Sequence, residues 1–234
     1  MSAKSKKTKE KQEDVWENPE VLADQLSKTE KFINENKALV GIVLTVVVFV
    51  VVGFLGYKYY INTQNEEAQS EMYQAIFYYE QDSLEMALRG DGNYLGLVAI
   101  TEDFPNTNAG NLANFYVGSI YMKQGKYELA QHYLTDFSSS DLLLQARSYS
   151  LLGDSFMEQS NFESALEYYN KAISYKANDQ FTPVYIKKAA IAYEKLSDIE
   201  KAKEYYKKII DNHKGSDLYQ DAQKHFARLG GIES

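Results

Sequence analysis

Apolar residues fall along this chain in distinct rhythms, and each rhythm predicts a different element. Between Ala38 and Tyr57 they are continuous and uncharged. At about 1.5 Å rise per residue, that run spans roughly 30 Å, the hydrocarbon thickness of a bilayer, so a membrane-spanning helix is predicted over 38–57. A cleaved signal peptide fits less well, since the preceding flank is long and as acidic as it is basic, and no small-x-small cleavage site follows. The valines from Val43 to Val52 suit lipid exposure, and no buried parallel strand runs twenty residues. Ahead of the run, Val21, Leu22, Leu26, Thr29, Phe32 and Ile33 recur at steps of 3, 4 and 7. This predicts an amphipathic helix over 18–37, with Asn18 as its cap and Pro19 at its first position. It would lie on the inner membrane surface as an anchor, or present a docking face to a membrane partner. Residues 1–17 are Lys- and Glu-rich and predict a disordered tail on the cytoplasmic side. Beyond Tyr60 the helical period returns, proline occurs only at Pro105 and Pro183, and no alternating strand pattern appears, which predicts an all-α fold.

That helical part repeats. NFYVGSIYMKQGKYELAQHYL from Asn114, YSLLGDSFMEQSNFESALEYY from Tyr149 and KAAIAYEKLSDIEKAKEYY from Lys188 align, with separations of 35 and 37 residues. The marks are small residues at Gly118, Gly153 and Ala190, aromatics at Tyr121, Phe156 and Tyr193, and alanines at Ala130, Ala165 and Ala202. Small residues let the two helices of a unit approach, and the aromatic fills the space between them. Tyr127, Phe162 and Ile199 begin the second helices, and Tyr133, Tyr169 and Tyr206 are expected to add packing. The period is close to the 34 residues of a tetratricopeptide repeat. The expected fold is therefore a single N-terminal transmembrane helix followed by a tetratricopeptide-repeat α-solenoid over 58–234. Its units are a degenerate repeat over 66–110, broken near Gly90 to Asn93, repeats over 111–145, 146–182 and 183–215, and a capping helix over 216–230. Thr182 is expected to cap a helix that starts at Pro183. The terminal helix opened by Ser216 shields the last repeat from water.

Charge adds orientation. The chain carries 25 basic and 33 acidic residues; nine lysines and eight acids precede residue 59, leaving 16 and 25 beyond it. An acidic module of that kind argues against nucleic acid as a partner. Lys28, Lys31 and Lys37 precede the span and Lys58 is alone after it, so the N-terminus is expected in the cytoplasm. Lys37 on one side, and Lys58 with Tyr57, Tyr59 and Tyr60 on the other, are the expected interface residues, the tyrosines forming an aromatic belt. The chain has no cysteine, which excludes disulfides, thiolate chemistry and a lipoprotein anchor.

The order of parts says more than the repeats alone. The string KTEKFINENKALVGIVLTV, the aromatic exit GYKYY and a repeat domain interrupted near Gly90 and Asp91 together resemble the YfgM family of ancillary Sec translocon subunits. The resemblance implies a single-pass bacterial inner-membrane protein whose repeats face the periplasm. It also implies, as partners, Sec translocon subunits, a PpiD-like membrane-anchored periplasmic chaperone and translocating envelope proteins. The tail before Pro19 is longer than the family pattern and the span is richer in valine.

Signatures of catalysis are missing from the sequence. His132, His213 and His225 lack the i, i+4 spacing of a helical metal site. GDGN at 90–93 has no Gly-Lys-Ser/Thr and no preceding strand, so it reads as a turn, and the ligand ladder of a calcium loop is absent around Asp91 and Asn93. No cofactor is expected. The candidate functional surface is the concave groove of the first helices, whose inward positions follow from the repeat register: Phe115, Ser119 and Met122; Arg147, Ser150, Asp154 and Met157; Lys187, Ile191 and Glu194. Such a mixture suits an extended segment or a partner helix. The expected function is a non-enzymatic, membrane-anchored scaffold at the Sec translocon. The alternatives are a scaffold for another secretion, division or surface-assembly complex, and a cytosol-facing receptor for targeting peptides.

Overall fold

A computed structural model describes residues 19–231. The tail over 1–17, the cap at Asn18 and the last three residues lie outside the described residues. The chain divides into two compact units, Met1–Tyr60 and Ile61–Ser234.

In the first unit, α1 spans Pro19–Glu35 with proline at its start. Asp24 and Lys28 pair across one turn at 2.6 Å. After Asn36, α2 runs from Lys37 to Glu80. It is the one helix among the described residues long and apolar enough to cross a membrane, and none of its apolar window is buried. Lys37, Tyr57, Lys58, Tyr59 and Tyr60 are all exposed on it. The sequence separates a helix ending at Tyr57 from one opening at Glu66, but both fall inside α2. Residues 58–65 hold neither glycine nor proline, so nothing there breaks the backbone ladder.

The second unit is a stack of helix pairs. The end of α2 pairs with α3 (Leu84–Arg89) and α4 (Leu97–Asp103). Then α5 (Asn108–Lys123) pairs with α6 (Tyr127–Asp136), α7 (Leu142–Glu158) with α8 (Phe162–Ser174), and α9 (Thr182–Lys195) with α10 (Ile199–Asn212); α11 (Tyr219–Arg228) closes the stack. The first helix of every pair ends identically. The second residue past the helix turns into the left-handed region at Asp82, Gly125, Ser160 and Ser197, with φ of 56°, 70°, 58° and 61°. The next amide then donates back across the turn: Ser83 to Tyr78, Lys126 to Tyr121, Asn161 to Phe156 and Asp198 to Tyr193, each at 2.9 Å. This is the Schellman stop, which satisfies carbonyls the helix end would orphan. Gly230 and the bond from Gly231 to Phe226 repeat it after α11. Tyr78, Tyr121, Phe156, Tyr193 and Phe226 are thus equivalent, at intervals of 43, 35, 37 and 33 residues. The long first interval holds the interruption that splits one second helix into α3 and α4.

That interruption is a closed turn. Gly90 adopts φ of 80° and bridges to Leu95. The Asp91 carboxylate accepts the amides of Asn93 and Tyr94 at 2.9 Å and the Tyr78 hydroxyl at 2.7 Å. The Tyr78 bond, with the two amides, holds the Asp91 carboxyl below its ordinary range. Its oxygens are spent on the turn itself.

The small marks do what their spacing demands. A Cβ at Gly118 would stand 2.5 Å from Leu134, and one at Gly153 2.5 Å from the Tyr169 ring. Leu134, Tyr169 and Tyr206 are therefore the equivalent core residues facing the small marks. The sequence reading put Tyr133 in that set, one position early. Tyr133 instead pairs with Tyr121 at 5.7 Å, as Tyr168 does with Phe156 at 5.5 Å and Tyr205 with Tyr193 at 5.0 Å. Adjacent residues in a helix point about 100° apart, so a slip of one exchanges the core-facing ring for the one at the edge of the pair. The start of α9 differs too. Thr182 is its first residue rather than its cap, because the Thr182 hydroxyl turns back to accept the Asn178 amide at 2.8 Å. Asn178 shapes the turn by accepting the amides of Gln180 and Phe181.

Candidate partner-binding surface

The ten groove positions fall on α5, α7 and α9, the first helices of successive pairs, and the structure sorts them by depth. Phe115, Ser119 and Ser150 are buried, and stand behind the groove wall. Phe115 packs against Phe137 at 5.3 Å and edge-on to Tyr116 at 5.7 Å, and the Ser119 hydroxyl donates to the Phe115 carbonyl at 2.7 Å. Met122 and Met157 are half-buried against the clusters of their own repeats. Ile191 is half-buried, and Arg147 is exposed.

The charged positions tie one first helix to the next. Lys188, which the repeat register passed over, bridges α9 to α7 by donating to the Ser150 hydroxyl at 2.9 Å and the Asp154 carboxylate at 2.6 Å. Asp154 also accepts the Tyr169 hydroxyl at 2.8 Å. Lys187 pairs with Asp221 on α11 at 2.6 Å. That bond, the largest influence on Asp221, keeps its carboxyl below the usual range. Glu194 accepts the Tyr206 hydroxyl at 2.7 Å and Arg228 of α11 at 2.6 Å, with His225 beside it at 3.6 Å. Burial first, then the Glu194 bond, pushes the Tyr206 hydroxyl well above its ordinary value. On the other side of the stack, the Tyr205 hydroxyl reaches Asn170 of the preceding repeat at 2.7 Å, and burial pushes it up to about 12.

The two halves of the groove therefore differ. From α7 to α11 it is crossed by ion pairs whose members are already matched. From α2 to α7 it is mainly apolar and aromatic, edged by the Lys123–Asp82 pair at 3.0 Å, with the Lys123 ammonium 4.9 Å from the Tyr79 ring centroid. Tyr79 meets Tyr116 edge-on at 5.2 Å, and a recess of about 380 Å³ opens between α2 and α5, lined by Gln69, Met72, Tyr73, Ile76, Asn108, Ala109 and Leu112. The repeat register reaches only the α5 side of this half, at Phe115, Ser119 and Met122, because it begins at Gly118 and names no groove position on α2. The available signal was Ala75, three residues before Tyr78, just as Gly118 precedes Tyr121. Among the described residues, no group of three or more His, Asp or Glu is arranged to hold a metal. His132 and His225 each stand beside an acid one turn away, Asp136 and Asp221, at 3.8 Å.

Two tetratricopeptide-repeat family models match this chain, over residues 118–181 and 188–216. A relative among known proteins is the uncharacterized protein ycf37 of Guillardia theta, 28% identical over 120 residues. The match covers 50% of this chain and spans 66%, about two thirds, of that relative's length. Similar solved structures include two crystal structures of nearly identical TPR-like repeats from a Podosopora anserina kinesin light chain, one of them carrying a single substitution. They superpose with TM-scores of 0.54 at 13% and 12% identity, covering 70% of this chain and 85% and 86% of theirs. At that identity the likeness concerns the fold alone. Repeat-model matches, equivalent helix stops and the solenoid neighbours agree: the helical part of this chain is a tetratricopeptide-repeat solenoid, a protein-interaction scaffold.

Proposed function

We propose that the chain is a membrane-anchored, non-enzymatic scaffold at the Sec translocon, presenting its repeats on the periplasmic side of a bacterial inner membrane. There it recruits a PpiD-like chaperone or emerging envelope proteins. The observation that carries this reading is the order of parts: an exposed apolar stretch inside α2, directly ahead of an acidic repeat solenoid. The lysine bias before the span supports an inside N-terminus, with Lys37 at one interface and Tyr57, Lys58, Tyr59 and Tyr60 at the other. Tethering is itself the mechanism, since confinement to the membrane raises the effective concentration of scaffold and client together. The partner surface is the groove, with Arg147, Met122, Met157 and Ile191 at its open face. Asp154, Lys187 and Glu194 fix the spacing of its helices, and Phe115, Ser119 and Ser150 support it from behind.

The test is crosslinking in cells followed by affinity purification in mild detergent. Sec channel subunits recovered together with a membrane-anchored prolyl-isomerase-like chaperone are the expected outcome. Recovery of a division or surface-assembly complex instead would leave the fold intact and remove this role. Orientation is read separately, since the chain has no cysteine of its own. A cysteine placed at exposed Ser140 should react with an impermeant maleimide once the outer membrane is permeabilised. Protection until the inner membrane is breached would reverse the topology.

A further inference from the structure

One end of the stack is closed and the other is open. The shared helix stops put Phe77 of α2 in register with Ile120 of α5, Ser155 of α7 and Ala192 of α9, and Ser70 in register with Ala113, Ser148 and Tyr185. All six of those later residues are buried, because each first helix turns that face onto the pair before it. In α7, for example, the Ser148 hydroxyl donates to the Leu134 carbonyl of α6 at 3.2 Å, and the Ser155 hydroxyl accepts from Gln131 of α6 at 3.0 Å. No pair precedes α2 in its unit, so there the same face is bare: Ser70 is exposed, Tyr73 is 77% exposed and Phe77 48%. At the other end α11 covers the last pair and exposes no large apolar residue, as the end of a solenoid requires. Polar contacts across each joint keep the register too. In the place of Glu80, Lys123 reaches back to Asp82 at 3.0 Å and Glu158 accepts the Tyr127 hydroxyl at 3.4 Å. In the place of Gln81, Gln124 and Gln159 donate back to Glu85 and Glu128 at 3.1 and 2.8 Å. Glu80 and Gln81 themselves are exposed. Glu66 and Glu80 form no ion pair among the described residues, and six acids but no Lys or Arg lie between Lys58 and Arg89.

We propose that this open end of the stack is a docking surface for a basic amphipathic helix of a partner protein, which lies along α2 where a preceding repeat would stand, covers Tyr73 and Phe77, and pairs with Glu66 and Glu80. It is a second surface beside the groove and does not depend on what the groove binds. The joints between repeats supply the physical model, since they show that this face of a first helix packs against another helix at the usual spacing of about 10 Å. Two exposed aromatics one turn apart are side chains whose burial contributes most to a protein contact. Glu66 and Glu80 stand fourteen positions apart, about 21 Å along α2. A helix packed alongside meets both acids if it carries cations about four turns apart, with apolar residues at steps of 3 and 4 between them. The acids also decide between occupants. Two copies of this chain packed through this face would set acid against acid at both ends of the strip, whether their α2 helices ran parallel or antiparallel, and like charges so placed oppose association.

The test is selection from a display library of two-helix hairpins, randomised on one face, against the full-length protein in detergent micelles. Enriched hairpins are expected to carry an apolar strip with Lys or Arg at positions about fourteen residues apart. Phe77→Ser should weaken their binding about tenfold or more. The double variant Glu66→Gln, Glu80→Gln should weaken it severalfold and remove most of its dependence on salt. Reversing both charges, with Glu66→Lys and Glu80→Lys, should transfer the preference to hairpins that carry Glu in place of the cations. All three positions are exposed, so unchanged melting curves confirm that the variants fold. Arg147→Gln, at the open face of the groove, should leave the hairpins bound as before. Hairpins that survive Phe77→Ser, or are lost with Arg147→Gln, would overturn the inference by assigning their binding to the groove. Enrichment without basic residues, equal on the Gln double variant, would overturn the charge assignment. A dimer of the full-length protein that Phe77→Ser dissociates would give the face to a second copy instead, and no enrichment at all would overturn the docking role while leaving the groove reading in place.

Discussion

Two kinds of residue set the geometry of each repeat, one by lacking a side chain and one by tolerating strain. At Gly118 and Gly153 the helical backbone would gain up to about 1 kcal/mol from alanine's higher propensity. The added methyl, however, would lie 2.5 Å from Leu134 or Tyr169, both buried, and forcing such a core apart costs about 1–3 kcal/mol. Overpacking wins, so Gly118→Ala and Gly153→Ala should each lower the melting temperature by a few degrees in a thermal scan. Ala190 already carries that methyl, buried at the equivalent position of α9, so the third repeat has adapted its spacing. The opposite sign is expected at the helix stops. Ser160 and Ser197 sit at φ of 58° and 61°, a conformation costing a non-glycine residue about 1–2 kcal/mol. Ser160→Gly and Ser197→Gly should therefore stabilise the protein by up to about 1 kcal/mol in denaturant titration, after the added entropy of an unfolded glycine is subtracted. Gly125→Ala should do the reverse, although its Cβ would meet only the distant Tyr127 hydroxyl.

Helices in this stack are held by apolar contact within a pair and, at the far end, by polar contact between pairs. Pairing of α9 with α11 is the clearest case, because Lys187–Asp221 and Glu194–Arg228 both cross between them at 2.6 Å. The Asp221 carboxyl is depressed in the folded state below its ordinary value near 3.8. A depressed acid contributes stability that is fully present above the unfolded value and is lost as pH falls through the folded one. Hydrogen exchange of α11, corrected for intrinsic rates, should therefore be steady from about pH 5 to 8 and rise below about pH 4. Asp221→Asn should raise it above about pH 5 and converge with the wild type in acid, which flattens that step. The Tyr206→Phe variant tests the same region from the core. It removes one hydrogen bond to Glu194, whose other partner Arg228 remains, so a loss of about 1 kcal/mol is expected without opening of α11.

A stack whose units touch only their neighbours should loosen from its ends, since stability is summed over units and shared faces. The cluster around Tyr206, Ile209 and Phe226 is closed by one helix, α11, whereas the clusters between α5 and α9 are covered on both sides. Protection against hydrogen exchange should therefore peak in α5 to α8 and fall towards α11. The exposed apolar window of α2 makes a different demand of the whole chain, since about twenty residues of that character are insoluble without lipid or detergent. The protein is expected to sediment with membranes, to resist alkaline carbonate and to be released by detergent; release by carbonate alone would mean that α2 does not span.

The amino-acid order by itself determined the large divisions: the apolar run, the helical period and the 35- and 37-residue spacing of small and aromatic marks are one-dimensional signals, each tied to a physical length. Those marks also named the repeat units, because the close approach of two helices requires small residues wherever it recurs. Tertiary structure decided what depends on neighbours from other repeats. Whether Ser150 is exposed, whether Asp154 is free or claimed by Lys188, and whether Tyr133 or Leu134 faces Gly118 turns on rotations of about 100° per residue and on helices about 35 positions away. Charge counts show a module rich in acids, but only packing shows that the groove acids Asp154, Glu194 and Asp221 are already matched to other cations.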